Sequence, residues 1–221
     1  MATEQPAPIQ SAPSLIADHA YQELRHRIVT LRLRPGTVLR EDALMRELGI
    51  GRTPLREAVK RLALESLVAI QPRRGTFVSE VDAADIVHIT EVRAELEGFA
   101  AALAARRMGP EARDRATALL HDLDALGRLD EQEALMDFDE RIHHFVWEEA
   151  GNPYLLQSLE RYFALSLRIW YVVLDRVPGL GAAVLDHARL IEAILAGDAA
   201  RARALMHEHV VAFEREIAAA F

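Results

Sequence analysis

The chain has 221 residues, 51% of them hydrophobic, with 26 Arg and Lys against 34 Asp and Glu and no cysteine. That length suits one large domain or two modest ones, and the absence of cysteine excludes disulfides and thiol chemistry and fits a reducing cytoplasm. No long uncharged apolar run occurs, which excludes a membrane-spanning helix.

Residues 1–13, rich in Pro, Ala and Gln, have neither the charged start nor the apolar core of a signal peptide and are expected to be a disordered arm. Tyr21, Leu24, Ile28 and Leu31 then form an apolar stripe that predicts a helix over 14–32, stopped by Arg34-Pro35-Gly36. Leu44, Met45 and Leu48 predict a short helix over 41–48, with Glu41 and Asp42 in its first turn, where negative charge suits the helix dipole. Gly49 stands where a left-handed residue ends such a helix.

The segment Gly49–Val78 carries the most chemistry. Pro54 suits the first turn of a helix, because its missing N–H would be unpaired there. Leu55, Val59, Leu62, Ala63 and Leu67 recur at helical spacing and predict one buried face. Arg52 and Arg56, four apart, share a side at the helix start and can reach guanine edges or phosphates in a major groove. Val68-Ala69-Ile70 and Thr76-Phe77-Val78 predict two short strands joined by Gln71-Pro72-Arg73-Arg74-Gly75, a basic turn able to approach a minor groove. An arginine pair or a basic turn alone is usually a solvated surface. In this order and spacing the pieces make a winged helix-turn-helix.

Residues 14–80 resemble the winged-helix domain of the GntR superfamily of bacterial transcription regulators, through Gly49-Ile50-Gly51-Arg52-Thr53-Pro54-Leu55-Arg56-Glu57-Ala58. The resemblance implies that Arg52 and Arg56 contact DNA, with Thr53 and Pro54 against its backbone and Arg73, Arg74 and Gly75 at the wing tip. Gly51 replaces the usual Ser, so the recognition helix lacks a side-chain cap, at a cost of only a few tenths of a kcal/mol. Asp42 stands where some members carry a DNA-contacting Arg, and Arg40 or Arg46 is a candidate to supply that charge.

Charge divides the chain in the same way. Residues 14–80 hold 12 basic and 8 acidic residues, whereas 81–221 hold 14 basic and 25 acidic. Opposite charge in two segments suggests nucleic-acid binding by the basic one.

Residues 81–221 read as a second domain, with helices expected over 82–107, 111–127, 132–150, 153–176 and 181–196, and from 198 to the C-terminus. Breaks fall at Gly109-Pro110, Gly151-Asn152-Pro153, Val177-Pro178-Gly179 and Gly197-Asp198. The fold class is therefore mainly α: an N-terminal winged helix-turn-helix and a C-terminal antiparallel six-helix bundle. Asp139 and His143 lie one turn apart on one face, a serviceable pair of metal ligands. His187 and His209 lie on the last two helices, which fold back on each other, and facing helices are where bundles build metal sites. Taken singly, each of these histidines is better explained as an ordinary surface or core residue than as a ligand.

This second domain resembles the FCD ligand-sensing domain of the FadR subfamily, in its VanR-like branch. The resemblance rests on Asp139-Glu140-Arg141-Ile142-His143, on Gly151-Asn152-Pro153 and on later helices that each contribute a histidine. It implies Asp139, His143, His187 and His209 as ligands of a divalent metal, and helical geometry points His144 and His207 elsewhere. Three imidazoles and a carboxylate suit Zn²⁺, Ni²⁺ or Mn²⁺, zinc being the first choice. In an octahedral site two positions would stay open to water or to an effector's carboxylate. Arg93 matches the family's Arg-x-x-Leu-Glu pattern and is expected to hold a small carboxylate effector bidentately, or else to pair with Glu97. Asn152 is expected either to line the effector pocket or to cap a helix.

The expected function is a cytoplasmic, metabolite-responsive repressor, a homodimer on a pseudo-palindromic double-stranded DNA operator with no membrane contact. The alternatives are a metalloenzyme, for which Glu140 or Glu208 would have to be the general base, and a DNA-binding protein with a purely structural metal.

Overall fold

The structure is a computed structural model that describes residues 12–126, 132–173 and 184–220. It divides into two compact units that meet at Val81–Asp82. Among the described residues, no helix is long and apolar enough to cross a membrane. The arm expected over 1–13 lies outside the described residues as far as residue 11, and the remainder already belongs to the first helix.

The first unit contains α1 (Ala12–Val29), α2 (Glu41–Leu48), α3 (Arg52–Leu64), β1 (Val68–Gln71) and β2 (Gly75–Val78). Helix α1 buries Ala17, Ala20, Tyr21, Leu24 and Ile28, a stripe at helical spacing that packs on α3. It ends earlier than the stripe suggests, because Leu31 sits in a left-handed turn with φ 58° instead of extending the helix.

Helix α3 buries Leu55, Ala58, Val59 and Leu62. Ala63, expected in that face, is only half-buried, and Ala58 takes its place. Spacings of three, four and seven residues from Leu55 define a stripe that Ala63 just misses. Polar ties orient α3 as well. The Tyr21 hydroxyl donates to both carboxylate oxygens of Glu65, at 2.7 and 2.9 Å, and Arg61 lies 3.9 Å over the Tyr21 ring while pairing with Asp18.

Gly49 closes α2 in the left-handed conformation, φ 65°, its N–H bonded to the Met45 carbonyl. Strands β1 and β2 pair antiparallel in the register Val68↔Val78 to Gln71↔Gly75. A third extended segment, unforeseen from sequence, joins them: Val38 bridges Phe77, the Leu39 N–H donates to Thr76 O at 2.8 Å, and the Val78 N–H donates to Thr37 O at 2.9 Å. Three residues beside Pro35-Gly36 are too few to produce an alternating pattern, so this segment gave no signal of its own.

The second unit contains α4 (Ala83–Arg107), α5 (Pro110–Leu126), α6 (Gln132–Glu149), α7 (Pro153–Val173), α8 (His187–Leu195) and α9 (Ala199–Ala220). The break expected at Val177-Pro178-Gly179 lies outside the described residues. A capping box opens α4: the Ala84 N–H donates to Asp82, and the Asp82 N–H donates to Asp85. Pro110 occupies the first position of α5.

Helix α4 is the central element, packed against α9, α7, α6 and α8. Its small residues allow α9 close, since Ala100, Ala101 and Ala104 are fully buried. At Gly98 an added Cβ would lie 3.1 Å from the Arg203 carbonyl oxygen and 3.2 Å from Arg203 Cγ. Alanine here would ordinarily gain about 1 kcal/mol of helix propensity, but the contact with α9 backbone opposes that gain. Gly98→Val is expected to lower stability by about 1–3 kcal/mol through overpacking. Chemical denaturation of the full chain measures this, and an unchanged midpoint would count against the close approach of α4 and α9.

Candidate metal centre and nucleic-acid interface

In the first unit, α3 begins at Arg52 behind an extended Gly51 that makes no side-chain cap. Arg52, Thr53 and Arg56 are exposed on its first turns and Pro54 is half-buried. Both arginines have carboxylate neighbours. Arg56 Nε donates to both oxygens of Glu41, at 3.0 and 3.2 Å. Arg52 lies 3.8 Å from Glu41 and 3.6 Å from Asp42. These four side chains, with Arg40 and Arg46, line one concave face. On the wing, Arg73, Arg74 and Gly75 are all exposed, and left-handed backbone at Arg73 (φ 63°) and Gly75 (φ 114°) forms the tight tip.

In the second unit, α6 places Asp139 and His143 one turn apart and facing inward, α8 begins with His187, and α9 adds His209. Their ligand atoms all lie within 4.8 Å of one another. His143 Nε2 is 3.7 Å from Asp139 Oδ2, while His187 Nε2 and His209 Nε2 are 3.6 and 3.8 Å from Asp139 Oδ1. The Nε2 atoms of His143 and His209 are 3.4 Å apart. Separations of 3.6–3.8 Å are too long for hydrogen bonds to Asp139. They suit ligand atoms that each sit roughly 2.0–2.2 Å from one shared ion.

Burial sharpens the point. Asp139, His143 and His187 are 1–2% exposed, yet Asp139 Oδ1 and His187 Nε2 have no hydrogen-bond partner. Two orphaned, buried polar atoms aimed at one another are costly unless something bridges them. The donor set therefore fits a divalent cation.

The surroundings prepare the imidazoles. The His187 Nδ1–H donates to the Val184 carbonyl at 3.0 Å, which directs Nε2 inward. His143 Nδ1 lies 2.7 Å from Glu97 Oε2. Glu97 is fully buried on α4. Burial raises its carboxyl, but the neighbouring His143 and Arg93 overcome this and hold it down at about 2. For His143, burial favours the neutral ring, yet the Glu97 and Asp139 carboxylates raise its proton affinity, the same field that would favour a cation. Burial holds His187 below its ordinary value, and burial with the nearby His187 and His143 rings holds His209 well below.

Arg93 is buried with its guanidinium on Glu97 and 4.9 Å over the Phe163 ring. It also lines a cleft with Thr90, Ser166, Trp170 and Phe213. A second cleft opens beside His187 and His209 between α8 and α9. Asn152 lines neither cleft: its side-chain oxygen accepts from the Tyr154 and Leu155 N–H groups at 3.2 and 3.3 Å and caps α7. His144 turns to Glu140 and His207 to Glu95, away from the cluster. Glu97 itself was not read as part of the site. The sequence signals were an i,i+4 spacing from Arg93, which an exposed pair would share, and the final Glu of the Arg-x-x-Leu-Glu pattern.

Comparison with known proteins agrees with both units. Residues 16–78 match the family described as bacterial regulatory proteins, gntR family, and residues 88–212 match the FCD domain. The HTH-type transcriptional repressor GlaR of Escherichia coli (strain K12) is 32% identical over 200 residues, covering 86% of this chain and 90% of that protein. An uncharacterized HTH-type transcriptional regulator of Streptomyces ambofaciens is 31% identical over 208 residues, covering 86% and 80%. The solved structure of E. coli McbR/YncC superposes with a TM-score of 0.79 at 22% identity, covering 94% of this chain and 98% of that one, and shares the fold. The family and these relatives are transcription regulators, not enzymes. With a matching domain in each unit and a relative aligned along most of its length, the chain belongs to the GntR family of bacterial regulatory proteins, as a transcription regulator with an FCD domain.

Proposed function

We propose that this regulator is a cytoplasmic repressor whose hold on its operator is relieved by a small carboxylate bound at a metal centre. The observation that carries the metal is the convergence of Asp139, His143, His187 and His209 around two buried polar atoms without partners. Zn²⁺ is the preferred ion, and Ni²⁺ and Mn²⁺ accept the same donors. Such an ion supplies a positive charge that an effector's carboxylate can engage. The space open to a small organic acid is the cleft between α8 and α9 beside His187 and His209, and Arg93, the expected carboxylate contact, would have to leave Glu97 to take part.

On the DNA side, Arg52 and Arg56 are the proposed base-reading side chains, Thr53 and Pro54 rest on the backbone, and Arg73, Arg74 and Gly75 enter the minor groove. To read bases, the arginines must leave Glu41 and Asp42. A homodimer would place two such helices on a pseudo-palindromic operator. An effector releases the operator only if it binds one conformational state more tightly than another.

A second reading, a purely structural metal, draws support from the near-complete burial of three of the four ligands. His187→Ala separates the two. If the centre senses, operator binding by the variant no longer responds to small carboxylic acids. If the centre is structural, the variant mainly loses thermal stability and keeps its response. A thermal-shift screen of such acids gives the companion result: stabilisation that vanishes with a chelator supports metal-dependent sensing, and stabilisation that survives chelation opposes it.

Arg56→Ala is expected to weaken operator binding by about 1–3 kcal/mol and relax specificity at one base pair. Arg74→Ala should weaken all DNA similarly and reduce the salt slope by about 1. Binding titrations at several salt concentrations distinguish these outcomes, and equal behaviour of the two variants would refute the division between base reading and wing contact.

A further inference from the structure

Glu97 is 0% exposed in the middle of α4. A carboxylate this deeply buried costs several kcal/mol unless it is paired and hydrogen-bonded. Here the pairing is divided between its two oxygens. Oε1 accepts from Arg93 Nε and Nη2, at 3.1 and 2.7 Å. Oε2 accepts from His143 Nδ1 at 2.7 Å and from Trp147 Nε1 at 2.8 Å. An ion pair alone would need only the first oxygen.

The second oxygen fixes the chemistry of His143. An ionised carboxylate only accepts hydrogen bonds, so Nδ1 carries the proton and Nε2 turns its lone pair toward Asp139 and His209. His187 leans instead on the neutral Val184 carbonyl. A carboxylate behind an imidazole makes it the stronger donor of the two kinds. Arg93 works in the opposite direction, because its positive charge on Oε1 competes with His143 for the same carboxylate and adds a cation near the cluster.

We propose that Glu97 is a positioning residue for the metal centre, setting the tautomer and donor strength of His143, and that Arg93 restrains it. The inference rests on the reading of the four-residue cluster as a metal site. It gives the two partners of one ion pair different effects on metal affinity, which a merely structural ion pair would not do.

The test is competition for Zn²⁺ between the full-length protein and a chromophoric chelator, in wild type, Glu97→Gln, Arg93→Met and the double variant, with circular dichroism to verify folding. Glu97→Gln is expected to weaken Zn²⁺ binding 10–100-fold. Arg93→Met should leave the affinity unchanged or tighten it several-fold. The double variant removes both buried charges and should bind at least tenfold more weakly than Arg93→Met. If Glu97→Gln alone does not fold, that last comparison decides the same question. Glu97→Gln within twofold of wild type would overturn the proposal, as would Arg93→Met weakening binding as much as Glu97→Gln. A wild-type protein that takes up no Zn²⁺ would overturn the metal-centre reading itself, and this inference with it.

Discussion

The second unit is organised around charge that has been taken out of water. Glu97, Arg93, Asp139, His143 and His187 are all nearly inaccessible to solvent, and a charged group among them could not stay ionised there alone. The groups come together from four helices: α4 brings the Glu97–Arg93 pair, α6 the Asp139–His143 turn, and α8 and α9 the remaining imidazoles. Breaking such a set from one side is far costlier than never building it. These groups therefore restrict where the helices of this unit can lie, together with the surrounding aliphatic packing.

The close approach of α4 and α9 follows from the same requirement. His209 reaches the cluster only if α9 lies near α4 and α6, and the small side chains of α4 with Gly98 leave room for that. A larger residue at this contact would move an imidazole as well as loosen a core.

Much of this could be read in the sequence, and the exceptions have physical causes. The Asp139–His143 spacing was legible because both ligands share one helix and a four-residue step is local information. The winged helix was legible because Gly49, Pro54 and the Arg52–Arg56 pair each respond to local backbone rules. The extended segment at Val38 and the contacts of Glu97 with His143 and Trp147 were not legible, since each is defined by a partner far away in the chain. For Glu97, Arg93 lies four residues away but His143 and Trp147 lie 46 and 50 residues away. Asn152 illustrates a different ambiguity: the same carboxamide suits a pocket or a helix start, and the helix start obtained it through two backbone N–H groups.

The carboxylates on the recognition face have a kinetic consequence. Glu41 and Asp42 already occupy Arg52 and Arg56, so on the proposed reading every DNA sequence must first displace them. Phosphates replace the carboxylates with another anionic partner, whereas a correctly placed guanine edge adds a bidentate fit. The acidic pair thus lowers affinity for every sequence alike, and only the operator offsets that loss with the bidentate fit. It shortens dwell times on the many wrong sites that compete for a small number of molecules, and a protein that lets go quickly searches a chromosome faster.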